Sequence, residues 1–259
     1  MIRLAWGVTM DGPMFWWAAV TAAMLVGLSK GGLPIVGMLG VPVLSLVISP
    51  VAAAGLLLPV FVLSDMFGLY AYRRAFDRRV LAILIPATTI GVAMGWATAS
   101  VVPERLVIAL VGLIGTSFAA TLLLRRQEDG EPRPARPGPG LFWGAVAGFT
   151  SFVSHAGAPP YQVYVLPLRL EKSVFAGTTT ILFAYVNAIK LVPYWALGQL
   201  SLDNLRVAAM LTVPAVVAVF AGVRLVRILP QALFFRLVVW ALLAVSLRLL
   251  WEAAFPPVV

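Results

Sequence analysis

The sequence predicts an all-α, polytopic membrane protein of two inverted repeats. Each repeat has three full transmembrane helices and a pair of short, re-entrant-like helices joined by a Gly/Pro break. Three observations predict it: the composition, a series of ten apolar stretches with one polar break, and the placement of the charges. Of 259 residues, 61% are hydrophobic and 11% charged, against about 45–50% apolar and about 25% charged in soluble domains. That excludes a soluble domain, a disordered chain and a disulfide scaffold. At ~20 apolar residues per span, the length allows roughly eight to ten passes and no extramembrane domain. Cysteine is absent and His155 is the single histidine, which excludes thiolate chemistry and a multi-His metal centre.

The apolar stretches lie near 14–29, 33–48, 50–70, 80–99 and 105–124, then near 141–154, 158–170, 173–197, 206–226 and 232–251. Between the two sets, RRQEDGEPRPARPGPG (125–140) is charged and Pro-rich, the composition of a linker. The predicted organisation is a first repeat over 1–124, a linker over 125–140 and a second repeat over 141–259. SKGGLPIVGMLGVPVL (29–44) reads against SHAGAPPYQVYVLPLR (154–169): Ser29 and Ser154, Gly32 and Gly157, Pro34 and Pro159, and Pro42 and Pro167 each stand 125 residues apart. At that offset Lys30 falls on His155 and Asp65 on Lys190. The shared order of five segments makes this an internal repeat.

The formal charge of +9 is read as topology. Arginines cluster in short loops, AYRRAFDRR (71–79) and the linker, which are expected to be cytoplasmic. Arg169 and Lys172, and Arg224 and Arg227, mark the same side, whereas GQLSLDNL (198–205) has no Lys or Arg and is placed outside. Span 50–70 then runs inward and its counterpart 173–197 outward, so the repeats are inverted and both termini periplasmic. No basic stripe with interleaved aromatics points to nucleic acid. The N-terminus lacks a charged n-region before a cleavage site and is read without a signal peptide.

In each short pair the two helices have roughly 13–16 residues, about 20–24 Å, less than the ~30 Å hydrocarbon core. The joints SKGGLP and SHAGAPP place Gly at a helix break and Pro at the start of the next helix. Such backbone must be buried in protein or line a wet cavity. Helices starting at Pro34 and Pro159 would aim free N–H groups and positive dipole ends inward. Two such ends near a pseudo-two-fold axis, beside Lys30 and His155, form an anion site. Gly31, Gly32 and Gly157 permit close approach, and Ser29 and Ser154 offer hydroxyls to oxyanion oxygens. Tyr161 and Tyr164 near the second joint either wall the site or simply pack, and Ala158 is counted with the substrate-binding residues of that joint.

Lys30 and Lys190 lie inside apolar sequence, and Asp65 is the single carboxylate deep in a span. A charge in the bilayer is costly unless paired or hydrated, so these are functional candidates. Asp65 and Lys190 are either an ion pair fixing the halves or a coupling, proton-binding pair. Asn187 lies one turn before Lys190 and can share its face. The plain readings are interfacial anchoring for the tryptophans and helix-to-helix hydrogen bonding for Thr178, Thr179 and Thr180. No catalytic constellation is present: no HExxH, GxSxG or phosphate loop. The chain is expected to be no enzyme and to carry no cofactor or metal.

GLSKGGLP with VPVLSLVISP, the span AAAGLLLPVFVLSDMFGLYAYRR, and GFTSFVSHAGAPPYQVYVLPLRLEKSVFAGTTTILFAYVNAIKLVPYWALGQL resemble the TauE/SafE family of sulfite-exporter and toluene-sulfonate-uptake permeases. The resemblance implies a bacterial inner-membrane secondary transporter. It would export sulfite or organosulfonates by alternating access, driven by the electrochemical gradient or a proton. It also implies that Ser29 to Pro34 and Ser154 to Pro160 approach the substrate. An anion channel, and a transporter of another small anion such as a carboxylate, are the alternative readings.

Overall fold

The computed structural model describes residues 12–99, 101–124, 132–200 and 202–255. The linker residues 125–131 and the terminal residues 1–11 and 256–259, on which part of the topology was read, lie outside the described residues. Among the described residues there are ten α-helices and no strand. They are α1 (Pro13–Lys30), α2 (Gly40–Leu44), α3 (Pro50–Tyr72), α4 (Arg78–Ala97), α5 (Glu104–Leu124), α6 (Pro137–Ser154), α7 (Ala158–Val165), α8 (Lys172–Ala196), α9 (Leu202–Ile228) and α10 (Gln231–Ala254). Six of these, α3, α4, α5, α8, α9 and α10, are long and apolar enough to cross a membrane. That is three in each half of the sequence.

The helix ends follow the sequence chemistry. Pro50 opens α3 behind Ser49, whose hydroxyl accepts the Ala52 N–H at 3.4 Å. Asp77 caps α4, its carboxylate accepting the Val80 N–H at 2.9 Å. α6 starts at Pro137, ahead of the apolar stretch at 141, because proline suits the first helical turn. Arg105 donates to the Ala253 carbonyl at 2.6 Å, satisfying an orphan acceptor at the end of α10.

The short pairs differ from expectation in shape. α1 and α6 have 18 residues each, about 27 Å long. The arm after the first joint begins at Pro34 as a 3₁₀ segment (Pro34–Leu39) and passes into α2. The arm after the second joint is α7 followed by a 3₁₀ turn (Leu166–Leu168). Each second arm is about 18–20 Å, short of the ~30 Å core. The 3₁₀ segment has a packing reason: it folds back on α1 so closely that a Cβ at Gly37 would stand 2.5 Å from the Ser29 hydroxyl.

The chain divides into two compact units. Unit 1 comprises Met1–Arg74 and Thr179–Ile228; unit 2 comprises Ala75–Thr178 and Leu229–Val259. Each unit therefore takes helices from both sequence halves. In unit 1, α1 packs along α9 in parallel, Gly27 meeting Ala215 and Gly31 meeting Gly222. α3 runs antiparallel to α8, with Gly55 near Gln199, Asp65 near Asn187 and Gly68 near Thr180. In unit 2, α6 packs along α4 in parallel, Gly148 meeting Thr88 and Gly95 meeting Phe152. α5 runs antiparallel to α10, with Arg105 near Ala253 and Gly115 near Ser246. The apolar core of unit 1 is built on Phe15, Val26, Leu44, Leu57, Phe61 and Leu211.

Candidate functional site

The polar centre of unit 1 grows from the end of α1. Lys30 is the last residue of that helix and only 4% exposed. Its Nζ lies 2.8 Å from Asp65 Oδ1 on α3 and 4.9 Å from the centre of the Phe61 ring, which walls the ammonium by a cation–π contact. Asn187 on α8 donates its amide to Asp65 Oδ2 at 2.8 Å. Lys190, one turn further along α8 and fully buried, acts electrostatically on both Lys30 and Asp65 and lies 6.0 Å from the Tyr194 ring. One lysine thus pairs with the carboxylate directly and a second lies within electrostatic reach of it. At these distances in a low dielectric, the charges interact far more strongly than in water.

The backbone beside this cluster is fixed by a helix break and by hydrogen bonds to neighbouring helices. α1 stops because Gly32 takes φ +110°, where an L side chain is strained. The Leu33 N–H then returns to the Leu28 carbonyl at 3.3 Å. The Lys30 carbonyl accepts from the Thr180 hydroxyl at 3.2 Å. The Gly31 carbonyl accepts from the Tyr72 hydroxyl at 2.6 Å. Gly31 itself is pinned against α9, where a Cβ would stand 2.7 Å from the Gly222 Cα. Pro34 is buried at the start of the 3₁₀ segment.

The second joint lies in unit 2 and is built differently. α6 ends at Ser154, and His155 takes the left-handed position itself, with φ 54°. The Ala156 N–H closes the turn on the Thr150 carbonyl at 3.2 Å. At the 125-residue offset the left-handed residue of the first joint, Gly32, corresponds to Gly157, which has φ −77° here. The break therefore falls two residues earlier, and His155 occupies the backbone role of a glycine. Gly157, Ala158 and Pro159 lead into α7, with Pro159 against Gly115 on α5. Tyr161 is fully buried beside Phe175, 6.3 Å between ring centres, in an aromatic cluster with Phe234 and Phe235.

His155→Gly is expected to leave stability within about 1 kcal/mol of the native chain, because glycine accepts that backbone without strain. His155→Val is expected to lose about 1–3 kcal/mol. Thermal unfolding of the two purified variants checks the contrast. Sulfonate binding by His155→Gly then reports the imidazole alone.

The structure brings together Lys30, Asp65, Asn187 and Lys190, all within unit 1. The two serines are engaged locally: Ser29 donates to the Val26 carbonyl at 2.6 Å and Ser154 to the Thr150 carbonyl at 3.2 Å. A hydroxyl has one proton to donate, so neither is directed at a ligand in this state. Phe61 and Tyr72 were missed as parts of the site, and Thr180, read from the sequence as a helix-to-helix hydrogen bonder, bonds the Lys30 carbonyl. Tyr72 lies 41 residues from Gly31 and Thr180 lies 150 from Lys30, and no local pattern relates residues so far apart.

Comparison with protein families matches residues 18–249 to the family described as sulfite exporter TauE/SafE. No curated protein and no solved structure matched the chain. The match takes in both joints, the ion cluster, five of the six long apolar helices and most of the sixth, and the chain belongs to the TauE/SafE family of sulfite/sulfonate exporter-type membrane transporters.

Proposed function

We propose that this protein is a secondary transporter exporting small sulfur oxyanions, sulfite or organosulfonates, and that the Lys30–Asp65 cluster is where the anion is held. One observation carries the reading: a buried lysine is paired with a buried carboxylate at a helix break, with a second buried lysine within electrostatic reach of both. A sulfonate has three equivalent acceptor oxygens and a fixed negative charge. It competes with Asp65 for Lys30 on equal electrostatic terms.

The competition supplies a coupling device. A proton on Asp65 removes the charge that holds Lys30 and frees the ammonium for the anion. Anion and proton then favour one another's binding, a reciprocal linkage, so the two cross together and export draws on the outward gradient of the anion itself. Asn187 has both a donor and an acceptor, so it can hold Asp65 in either protonation state.

The helix pairing supports the reading of the two halves as inverted repeats. The symmetry mates α3 and α8 are antiparallel, as are α5 and α10. The parallel pair α1 with α9 has its counterpart in α6 with α4. Inverted repeats are the usual basis of alternating access. The bacterial inner membrane, with the arginine-rich ends cytoplasmic, is the location this reading requires.

Calorimetric titration of purified protein with sulfite, an organosulfonate and a carboxylate analogue tests the assignment. Lys30→Ala is expected to weaken sulfonate binding about tenfold to a hundredfold, the range for losing a charge-assisted hydrogen bond. The binding enthalpy of the native chain should vary with the ionisation enthalpy of the buffer, because a proton enters with the anion. Asp65→Asn should remove that variation. Unchanged binding in Lys30→Ala removes the site, and tighter carboxylate than sulfonate binding removes the substrate class.

A further inference from the structure

One feature of unit 1 lies outside the ion cluster. α3 and α9 both end at an open cleft of 570 Å³ that carries Arg73, Arg224 and Arg227 beside Tyr70, Phe220 and Ile228. All six side chains are exposed, and the described lining holds no acidic residue. Arg73 lies over the Tyr70 ring, 4.2 Å from its centre, and donates to the Tyr70 carbonyl at 2.7 Å, which fixes its direction. Arg224 and Arg227 are one turn apart on α9, so like charges crowd one helix face.

The charges crown an apolar groove. On α9 the exposed residues Val213, Val217 and Phe220 repeat every three or four positions and lead into Arg224 and Arg227. On α3, Leu63, Phe67 and Tyr70 do the same and lead into Arg73. The two stripes touch where Phe67 meets Phe220 edge to face, 6.2 Å between centres. From Val213 to Arg227 the rise along α9 is about 21 Å, close to one leaflet of a bilayer about 40–45 Å thick with its headgroups.

We propose that this groove is a binding site for one anionic glycerophospholipid, its phosphate on Arg73, Arg224 and Arg227 and an acyl chain along the Phe67–Phe220 seam. A free oxyanion matches the three guanidinium groups but leaves the apolar groove unexplained. An amphiphile of leaflet length matches both. Basic pockets between transmembrane helices on the cytoplasmic side are suited to such headgroups, and arginine takes phosphate oxygens in a bidentate fork.

The test uses delipidated full-length protein in detergent, followed by thermal unfolding during titration with dioleoylphosphatidylglycerol, dioleoylphosphatidylcholine or inorganic phosphate. Phosphatidylglycerol is expected to raise the melting temperature saturably, with one lipid retained per chain in native mass spectrometry. Phosphatidylcholine, with identical chains, should raise it little, and phosphate at equal concentration not at all. R224Q/R227Q should need on the order of tenfold more phosphatidylglycerol. R236Q, which removes an arginine from α10 outside the cleft, should titrate as the native chain does. Lys30→Ala should also keep the lipid response, which separates this site from the substrate site. Equal stabilisation by phosphatidylcholine, an equal loss in R236Q, or competition by inorganic phosphate each overturns the lipid assignment.

Discussion

Asp65→Ala is expected to destabilise the protein by about 3–5 kcal/mol, the range for removing one partner of a buried ion pair. The reason lies in the count of charges. Asp65 is the carboxylate that Lys30 meets at 2.8 Å and that Lys190 also senses. Without it Lys30 loses its ion-pair partner inside an apolar bundle, and the second buried lysine loses the nearby negative charge. The loss corresponds to a fall in melting temperature of roughly 6–20 °C for a chain of this size. Lys30→Met with Asp65→Leu should lose less than Asp65→Ala alone, because replacing a buried pair by apolar groups is often neutral. That double variant should no longer bind sulfonate. A double-mutant cycle across the two positions measures their coupling. An Asp65→Ala protein that melts with the native chain would show that the pair is not the keystone of unit 1.

Gly27→Ala and Gly91→Ala are expected to lose on the order of 2–3 kcal/mol each, the upper part of the usual range for overpacking. Alanine is the better helix former by about 1 kcal/mol, so any loss comes from packing. A Cβ at Gly27 of α1 would overlap the Ala215 carbonyl of α9. A Cβ at Gly91 of α4 would overlap the Ala145 carbonyl of α6. The obstacle in both cases is backbone, which cannot turn aside as a side chain would. Helices in lipid associate through such close contacts, since hydrophobic burial gives them little drive. Gly138→Ala, where a Cβ would meet nothing within 4 Å, serves as the control and should be neutral or slightly stabilising. Thermal unfolding of the three variants decides the matter. Native-like melting at positions 27 and 91 would mean that the helix pairs do not pack this closely.

The spans were legible because lipid demands long apolar runs, and Val51–Tyr72, Arg78–Ala97 and their later counterparts supply them. The joints were legible because Gly and Pro have few other uses in sequence such as SKGGLP. The rarity of Lys30, Asp65 and Lys190 in apolar surroundings marked them as a group. Their wiring was not legible. The repeat offset relates Asp65 to Lys190, but an offset reports symmetry and carries no information on contact. In the structure Asp65 meets Lys30 and Asn187 directly. The exchange of α4 and α5 for α9 and most of α8 between the two sequence halves was equally hidden, because hydropathy counts spans without naming their neighbours. At His155 the aligned sequence suggested a cation matched to Lys30. The fold uses the residue to turn the chain, one of the few non-glycine side chains tolerant of that conformation.

The mixed make-up of the two units has a consequence for the order of synthesis. α1 and α3 emerge early, and Lys30 can find Asp65 after 35 further residues. The α9 ridge that receives Gly27 and Gly31 follows nearly two hundred residues later. At about 5–20 residues per second, the first helices wait on the order of ten to forty seconds in the membrane with that flank uncovered. The ion pair is then the contact able to hold α1 beside α3 during the wait. A ribosome stalled after α5 would leave this provisional pair in place with neither unit closed, so two halves made as separate chains should be recovered folded only when they are produced together.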